Sequence, residues 1–268
     1  VLQCSESVPS GNIEKIAQRP LLNIFSWKGL IHMALAYYSY GYGYDPTWFL
    51  LIITGIIAIV AQIRVSSSFA KYSKVQSRTG LTGAEAAERI LHSKGIYDVR
   101  IQHIAGNLTD NYNPTDKTLN LSDATYNSRS VAAIGVAAHE CGHAIQHDEG
   151  YSFLRFRTML FPIASFGSQF SFILILLGLF FGSFSMLIDI GIILFSFAVL
   201  FQIVTLPVEF NASSRALTLL ADNGILYDGE VEQTKKVLSA AAMTYVASAA
   251  TAIIQLARLL MLRGRNRD

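Results

Sequence analysis

Val131-Ala-Ala-Ile-Gly-Val-Ala-Ala-His139-Glu140-Cys141-Gly142-His143-Ala-Ile-Gln-His147 is a small-residue, apolar segment carrying His-Glu-x-x-His. Residues four apart share a helix face, so His139 and His143 can present both imidazoles to one metal ion. Glu140 falls beside that face, where a carboxylate can take a proton from metal-bound water. Zinc lowers the pKa of such water to roughly 7, so the segment points to hydrolysis with one Zn2+ per chain. Incidental histidines on a core helix would leave two imidazoles and a carboxylate buried without partners, which is costly.

Outward from this helix the chain is unusually apolar. Hydrophobic residues make up 51% of its 268 residues and charged residues 15%. The surplus is concentrated in uncharged runs of 18 residues (Pro46 to Ile63), 31 residues (Thr158 to Ile188) and 19 residues (Ile190 to Val208). At about 1.5 Å per residue, each reaches or nearly reaches across a hydrocarbon core of about 30 Å. Helices are expected near 47–63, 160–182 and 185–206, the last two as a hairpin turning through Gly182-Ser183-Phe184-Ser185. A fourth candidate, 237–257, is Ala-rich, contains Tyr245 and is closed by Arg258. Such small residues suit either a close-packed span or a soluble helix.

The expected fold is an α-rich membrane protein: three or four transmembrane helices and a small α+β, zincin-like cytoplasmic catalytic domain. The chain divides into an N-terminal extension (1–44), a first span (45–64), the metal-helix region (65–157) and a transmembrane hairpin (158–207). A helix with the third ligand (208–236) and a C-terminal helix (237–262) follow. Met33 is the first methionine, so residues 1–32 read as an upstream extension, a processed remnant or a mis-called start. They lack the apolar stretch of a signal peptide. Arg64, Lys71, Lys74, Arg78, Arg155, Arg157, Lys235 and Lys236 flank the spans on the metal-helix side. The positive-inside tendency puts that side in the cytoplasm, at the plasma membrane. Arg263, Arg265 and Arg267 argue against a full fourth crossing. No basic patch with interleaved aromatics suggests nucleic acid. Cys4 and Cys141 differ in context, so a structural disulfide is not expected.

Between the first span and the metal helix, Thr82 and Glu85 form a capping-box pattern for a helix over 83–93, with Gly95 as its stop. Val99 to Ile104 and Thr118 to Leu121 read as two strands of a small hairpin, with turn chemistry at Asn113-Pro114-Thr-Asp116. Zinc peptidases can hold an extended substrate on an edge strand, a role open to 107–112 or 118–122. A hairpin that only covers the helix is the alternative.

A catalytic zinc takes three protein ligands and leaves one position for water. His147 lies eight residues from His139, about 12 Å along a continuous helix, and suits a supporting or surface position better than the metal. Glu209, in Pro207-Val-Glu209-Phe-Asn-Ala212-Ser213-Ser-Arg215-Ala216, is the better third ligand. Pro207 fits a helix's first turn or a kink, and Asp222-Asn223-Gly224 a stop. Glu209, Ala212, Ser213 and Ala216 share one face, small enough for close approach by the metal helix. The alternative is a membrane-edge Glu209 paired with Arg215.

The runs Gly-Tyr-Asp-Pro (43–46), Leu-Thr-Asp-x-Tyr-x-Pro (108–114), Val-Ala-Ala-His-Glu-x-Gly-His-Ala-x-Gln-His (136–147) and Pro-Val-Glu-Phe-Asn-Ala-Ser (207–213) resemble the YugP-like neutral zinc metallopeptidases over roughly residues 41–262. More distantly the pattern is similar to HtpX and CAAX-prenyl membrane proteases. In that wider group an Asp four residues after the ligand Glu orients a ligand His; Ser213 stands there in this chain. The resemblance implies a peptidase.

The expectation is therefore a membrane-bound, zinc-dependent endopeptidase. His139, His143 and Glu209 would hold zinc, and Glu140 would act as general base and then proton donor. Its partners would be the bilayer and a peptide or membrane-protein substrate. Tyr112, Asn111 and Arg215 are candidate transition-state donors. The rivals are a scaffold whose structural zinc also takes His147, and a zinc hydrolase of lipids or small amides with a narrow apolar pocket.

Overall fold

The computed structural model describes residues 47–180 and 185–265. The N-terminal extension and most of the turn between the second and third spans lie outside the described residues. Helix α1 (Trp48–Tyr72) is followed by α2 (Gly83–Ser93), β1 (Arg100–Ile104), β2 (Asn111–Asn113), β3 (Thr118–Ser122) and the metal helix α3 (Val131–Asp148). Then come α4 (Ser152–Phe180), α5 (Ser185–Asp222) and α6 (Asp228–Arg265).

Helices α1, α4, α5 and α6 are each long and apolar enough to cross a membrane. The chain is an α-rich membrane protein with a small three-stranded sheet. Helix α1 continues past Ile63 to Tyr72, because leaving the apolar run ends the span without removing helix-forming residues. Helix α5 likewise runs unbroken through Pro207 to Asp222, so Glu209 stands on the extension of a span. Pro207 sits inside this helix, and no new helix begins there. Gly224, at φ +58°, then turns the chain into α6, which runs back antiparallel to α5.

Residues 237–257, read as either a span or a soluble helix, belong to a helix of spanning length and composition. Of the terminal cations that argued against a crossing, Arg263 has a partner, and the Arg265 side chain and Arg267 lie outside the described residues. Arg263 donates to both carboxylate oxygens of Asp189, near the start of α5, at 2.5 and 2.7 Å. Arg258 is buried, and its Nε donates to Thr47 Oγ1 at 3.1 Å, beside the start of α1. Thr47, Asp189, Arg258 and Arg263 thus gather at one end of the spans, and α2, the sheet and α3 lie at the other. Helix α4 packs on α5, α5 on α6 and α6 on α1.

In the small domain, Ser130 caps α3 by accepting the Ala133 N–H. Both halves of the capping box form at α2: Thr82 accepts the Glu85 N–H, and Glu85 accepts the Thr82 N–H. The sheet differs from the expected hairpin. Strand β1 pairs with β3 in parallel, and the hairpin partner of β3 is β2, giving the order β1-β3-β2. The turn at 114–117, with Lys117 at φ +49°, closes only on 111–113. Three residues are too few to reveal a strand by alternation. Strand β3 is central and buried at every position, which excludes 118–122 as a substrate edge. The edge facing α3 is β2.

One hydrophobic core joins Ile90 and Leu91 of α2, Leu119 and Leu121 of β3, Ile134 and Ile145 of α3, and Leu220 and Leu238 of α5 and α6. The domain is therefore built directly on the ends of two spans. The topology predicts that cysteines introduced as Lys94→Cys and Gly264→Cys, each in a Cys4→Ser background, label with an impermeant thiol reagent from opposite membrane faces. Labelling from the same face would show that α6 does not cross.

Candidate metal centre

Helices α3 and α5 cross where side chains nearly vanish. A Cβ on Gly142 would lie 2.7 Å from the Ala212 carbonyl oxygen and 3.1 Å from its Cα. Ala212 and Ala216 are fully buried against this crossing. The close approach brings Glu209 to His139 and His143, and the ligating atoms of the three lie within 4.8 Å of one another. Glu209 Oε2 is 3.3 Å from His139 Nε2 and 3.6 Å from His143 Nε2.

The outward nitrogen of each imidazole is held. His143 Nδ1 is 3.0 Å from Gln146 Oε1, and the Gln146 amide nitrogen donates to the Val208 carbonyl and to Asn211 Oδ1, each at 2.9 Å. Because a carbonyl can only accept, the Gln146 oxygen must face His143, which places a proton on Nδ1. In the neutral ring Nε2 is then a bare lone pair. His139 Nδ1 is 3.1 Å from Ser213 Oγ, so Ser213 occupies the orienting position that the sequence pattern left in question. Glu209 is 3% exposed. Its Oε1 accepts from Arg157 at 3.1 Å, while its buried Oε2 has no hydrogen-bond donor. Lone pairs and a carboxylate oxygen converge on one point with nothing between them to share. Two imidazoles and a carboxylate suit zinc with a position left open.

Glu140 lies beside this centre. The Tyr112 N–H, on edge strand β2, donates to its Oε2 at 3.0 Å. Oε1 makes no hydrogen bond among the described residues. Burial pushes the Glu140 carboxyl up to about 7; His139 and the Tyr112 N–H oppose the shift, and the charges of Asp110 and Glu209 add to it. Cys141, on the opposite face, is buried among apolar side chains, which pushes its thiol up and out of reactivity.

The other candidates fall differently. Tyr112 and His147 meet each other, hydroxyl to Nδ1 at 2.8 Å, at the cavity wall. His147 therefore stays away from the three converging groups. Asn111 lines the cavity with its amide tied to Thr109 and Asn120. Arg215 points elsewhere, bonding Asn211 and Glu149 at 2.8 and 2.6 Å, and the alternative pairing of Glu209 with Arg215 is not formed, since Glu209 pairs with Arg157. Arg157 and Gln146 were not legible as site residues: one reads as a flanking charge and the other as one more polar residue on α3. Tyr245 of α6, also unforeseen, lines the same cavity.

The cavity has a volume of about 690 Å³. It runs from Asp110 to Thr115 at the β2 edge, past His139, His143 and Glu209, to Phe201, Gln202 and Ser248 on the spans.

Removing an orienting partner of a ligand histidine should weaken zinc binding by about ten- to hundredfold. Ser213→Ala and Gln146→Leu are expected to show this by competition with a chelator; unchanged affinity would contradict the orienting roles. Gly142→Ala should prise α5 from α3, destabilising the protein by about 1–3 kcal/mol and lowering its zinc content. Full zinc occupancy in that variant would contradict the close-crossing argument.

Residues 47–264 match the family described as "Putative neutral zinc metallopeptidase". The chain is 48% identical over 220 residues to "Putative membrane protease YugP" of Bacillus subtilis (strain 168), covering 82% of this chain and 97% of that protein. No solved structure matches it. With its family model spanning all four apolar helices and the His139, His143 and Glu209 cluster, the chain belongs to the neutral zinc metallopeptidase family.

Proposed function

We propose that this zinc metallopeptidase is a membrane-bound endopeptidase that cuts peptide bonds close to the cytoplasmic membrane surface. His139, His143 and Glu209 are the ligands of a single zinc, and Glu140 is the general base. The observation that carries the reading is the convergence of these three ligand atoms beside a carboxylate fixed by the substrate-side strand. Zinc, when bound, supplies positive charge that polarises the scissile carbonyl and acidifies water. Glu140, held through Oε2 by Tyr112, uses its unengaged Oε1 to take a proton from the attacking water. It then returns that proton to the departing amine. Arg157 binds the far oxygen of Glu209 and so aims the near one at the histidines. Strand β2 offers an extended peptide an open edge at the mouth of the cavity.

Support for a cytoplasmic site comes from Lys71, Lys74, Arg78, Arg155 and Lys235 on the domain side, which outnumber Arg258 and Arg263 at the opposite end among the described residues. The rival scaffold reading needs a ligand set closed by His147, whose Nδ1 is instead 2.8 Å from the Tyr112 hydroxyl. The small-amide reading needs a narrow apolar pocket, whereas the cavity is large and bordered by a strand edge.

Glu140→Gln is expected to keep about one zinc per chain and to lose at least a hundredfold in cleavage of an unstructured, membrane-anchored reporter. Cleavage by that variant at the parent rate would exclude Glu140 as the base. Equal zinc with no cleavage by either protein, across several reporters, would favour a non-peptide substrate.

A further inference from the structure

The cavity extends beyond what a zinc site needs. On α5, Gln202 precedes Glu209 by seven residues, about 10 Å along the helix and toward the end of the spans opposite the domain. Gln202 is 9% exposed, lines the cavity and makes no hydrogen bond among the described residues. Ser248, on α6, lines the same end, and its hydroxyl is likewise unbonded among the described residues. Thr158, on α4, completes a third wall, and Pro162 one turn later has no N–H to give the Thr158 carbonyl. Phe161 and Phe201 pack with ring centroids 5.8 Å apart in the same wall.

The Gln202 amide opens onto the cavity, and a ligand that displaces water from it must supply a hydrogen bond or leave it unpaired at a cost. An acyl chain would leave the Gln202 amide desolvated and unpaired, whereas an extended peptide offers both a carbonyl and an N–H at each residue. Three residues of extended chain cover about 10 Å, the separation between Gln202 and Glu209 along α5. Met159 of α4 lines the cavity and is an exposed apolar side chain, as are Phe153 and Phe156 elsewhere on the same helix, a surface suited to lipid contact.

From this geometry we infer that Gln202, with Ser248, forms a backbone-binding subsite on the membrane side of the metal centre. It takes the stretch of peptide that emerges from a transmembrane helix. The substrate class is then a membrane-anchored protein cut about three residues outside its span. This rests on the peptidase reading above. The anchor side of the scissile bond lies toward Gln202, and the free side runs along β2.

The test uses the full chain in nanodiscs, in a zinc-loaded Glu140→Gln background. The probe is a synthetic peptide with one Leu/Ala transmembrane helix, a twelve-residue uncharged tail and a benzophenone at the first residue beyond the helix. Cross-links are expected on α5 and α6 near Gln202 and Ser248. Gln202→Leu, close in shape but unable to hydrogen-bond, should lower their yield roughly three- to tenfold, as should Ser248→Ala to a smaller extent. The tail without its helix should cross-link there at least tenfold less. Cross-links mapping elsewhere, yields indifferent to both substitutions, or equal yields with and without the helix would each overturn the subsite. The peptidase reading is judged separately by cleavage with the parent protein. The expected cross-links without cleavage would leave the subsite standing and sink the reading; cleavage without them would do the reverse.

Discussion

The Glu209 carboxylate is the constraint on which the rest of the structure depends. It is an ionisable group on the extension of a membrane span, 3% exposed, and burying it is tolerable only if both oxygens are matched. Arg157, one turn into α4, satisfies one oxygen. The other faces the Nε2 atoms of His139 and His143 without a hydrogen-bond donor, an arrangement that could hold a metal ion. One carboxylate thereby ties together α3, α4 and α5. Its loss would leave Arg157 uncompensated at the same depth.

That tie requires the domain and the spans to form one rigid unit, and the chain achieves this by continuity. Helix α5 leaves the membrane as the same helix that carries Glu209, Ser213, Ala216 and Leu220, the last two in the domain core. Helix α6 enters from that core through Val237 and Leu238 and ends at the Arg263–Asp189 pair. Gly142 and Ala212 set the crossing distance, and the Gln146 bridge to Val208 and Asn211 locks its register. The position of the site at the end of the spans is thus a product of helix continuity, which no loop between them interrupts.

The features legible in the sequence were those governed by local chemistry or by long uniform runs. The capping box at Thr82 and Glu85, the paired histidines of α3, and the small face of Glu209, Ala212, Ser213 and Ala216 all follow from helical spacing within one segment. The uncharged runs exposed the spans for the same reason. What was missed depends on which segments meet. Arg157 is indistinguishable from a topology-setting charge until α4 is placed against Glu209. Gln146 becomes an orienting group only when α5 crosses at Gly142. Strand β2 is too short to show alternation, and the parallel pairing of β1 with β3 is invisible to a reading that joins neighbouring strands. The charge of Arg263 was misleading because its partner, Asp189, lies 74 positions away in the chain.

The coordination sphere of the metal tests this account most directly. Zinc K-edge X-ray absorption on the detergent-solubilised, zinc-loaded protein should show two imidazole nitrogens at about 2.0–2.1 Å and oxygen donors at about 2.0–2.2 Å, with no sulfur. A sulfur shell near 2.3 Å, or three or more imidazoles, would contradict it. Either would mean that Cys141 or a further histidine such as His147 reaches the metal, and that the converging group of His139, His143 and Glu209 is not the zinc site.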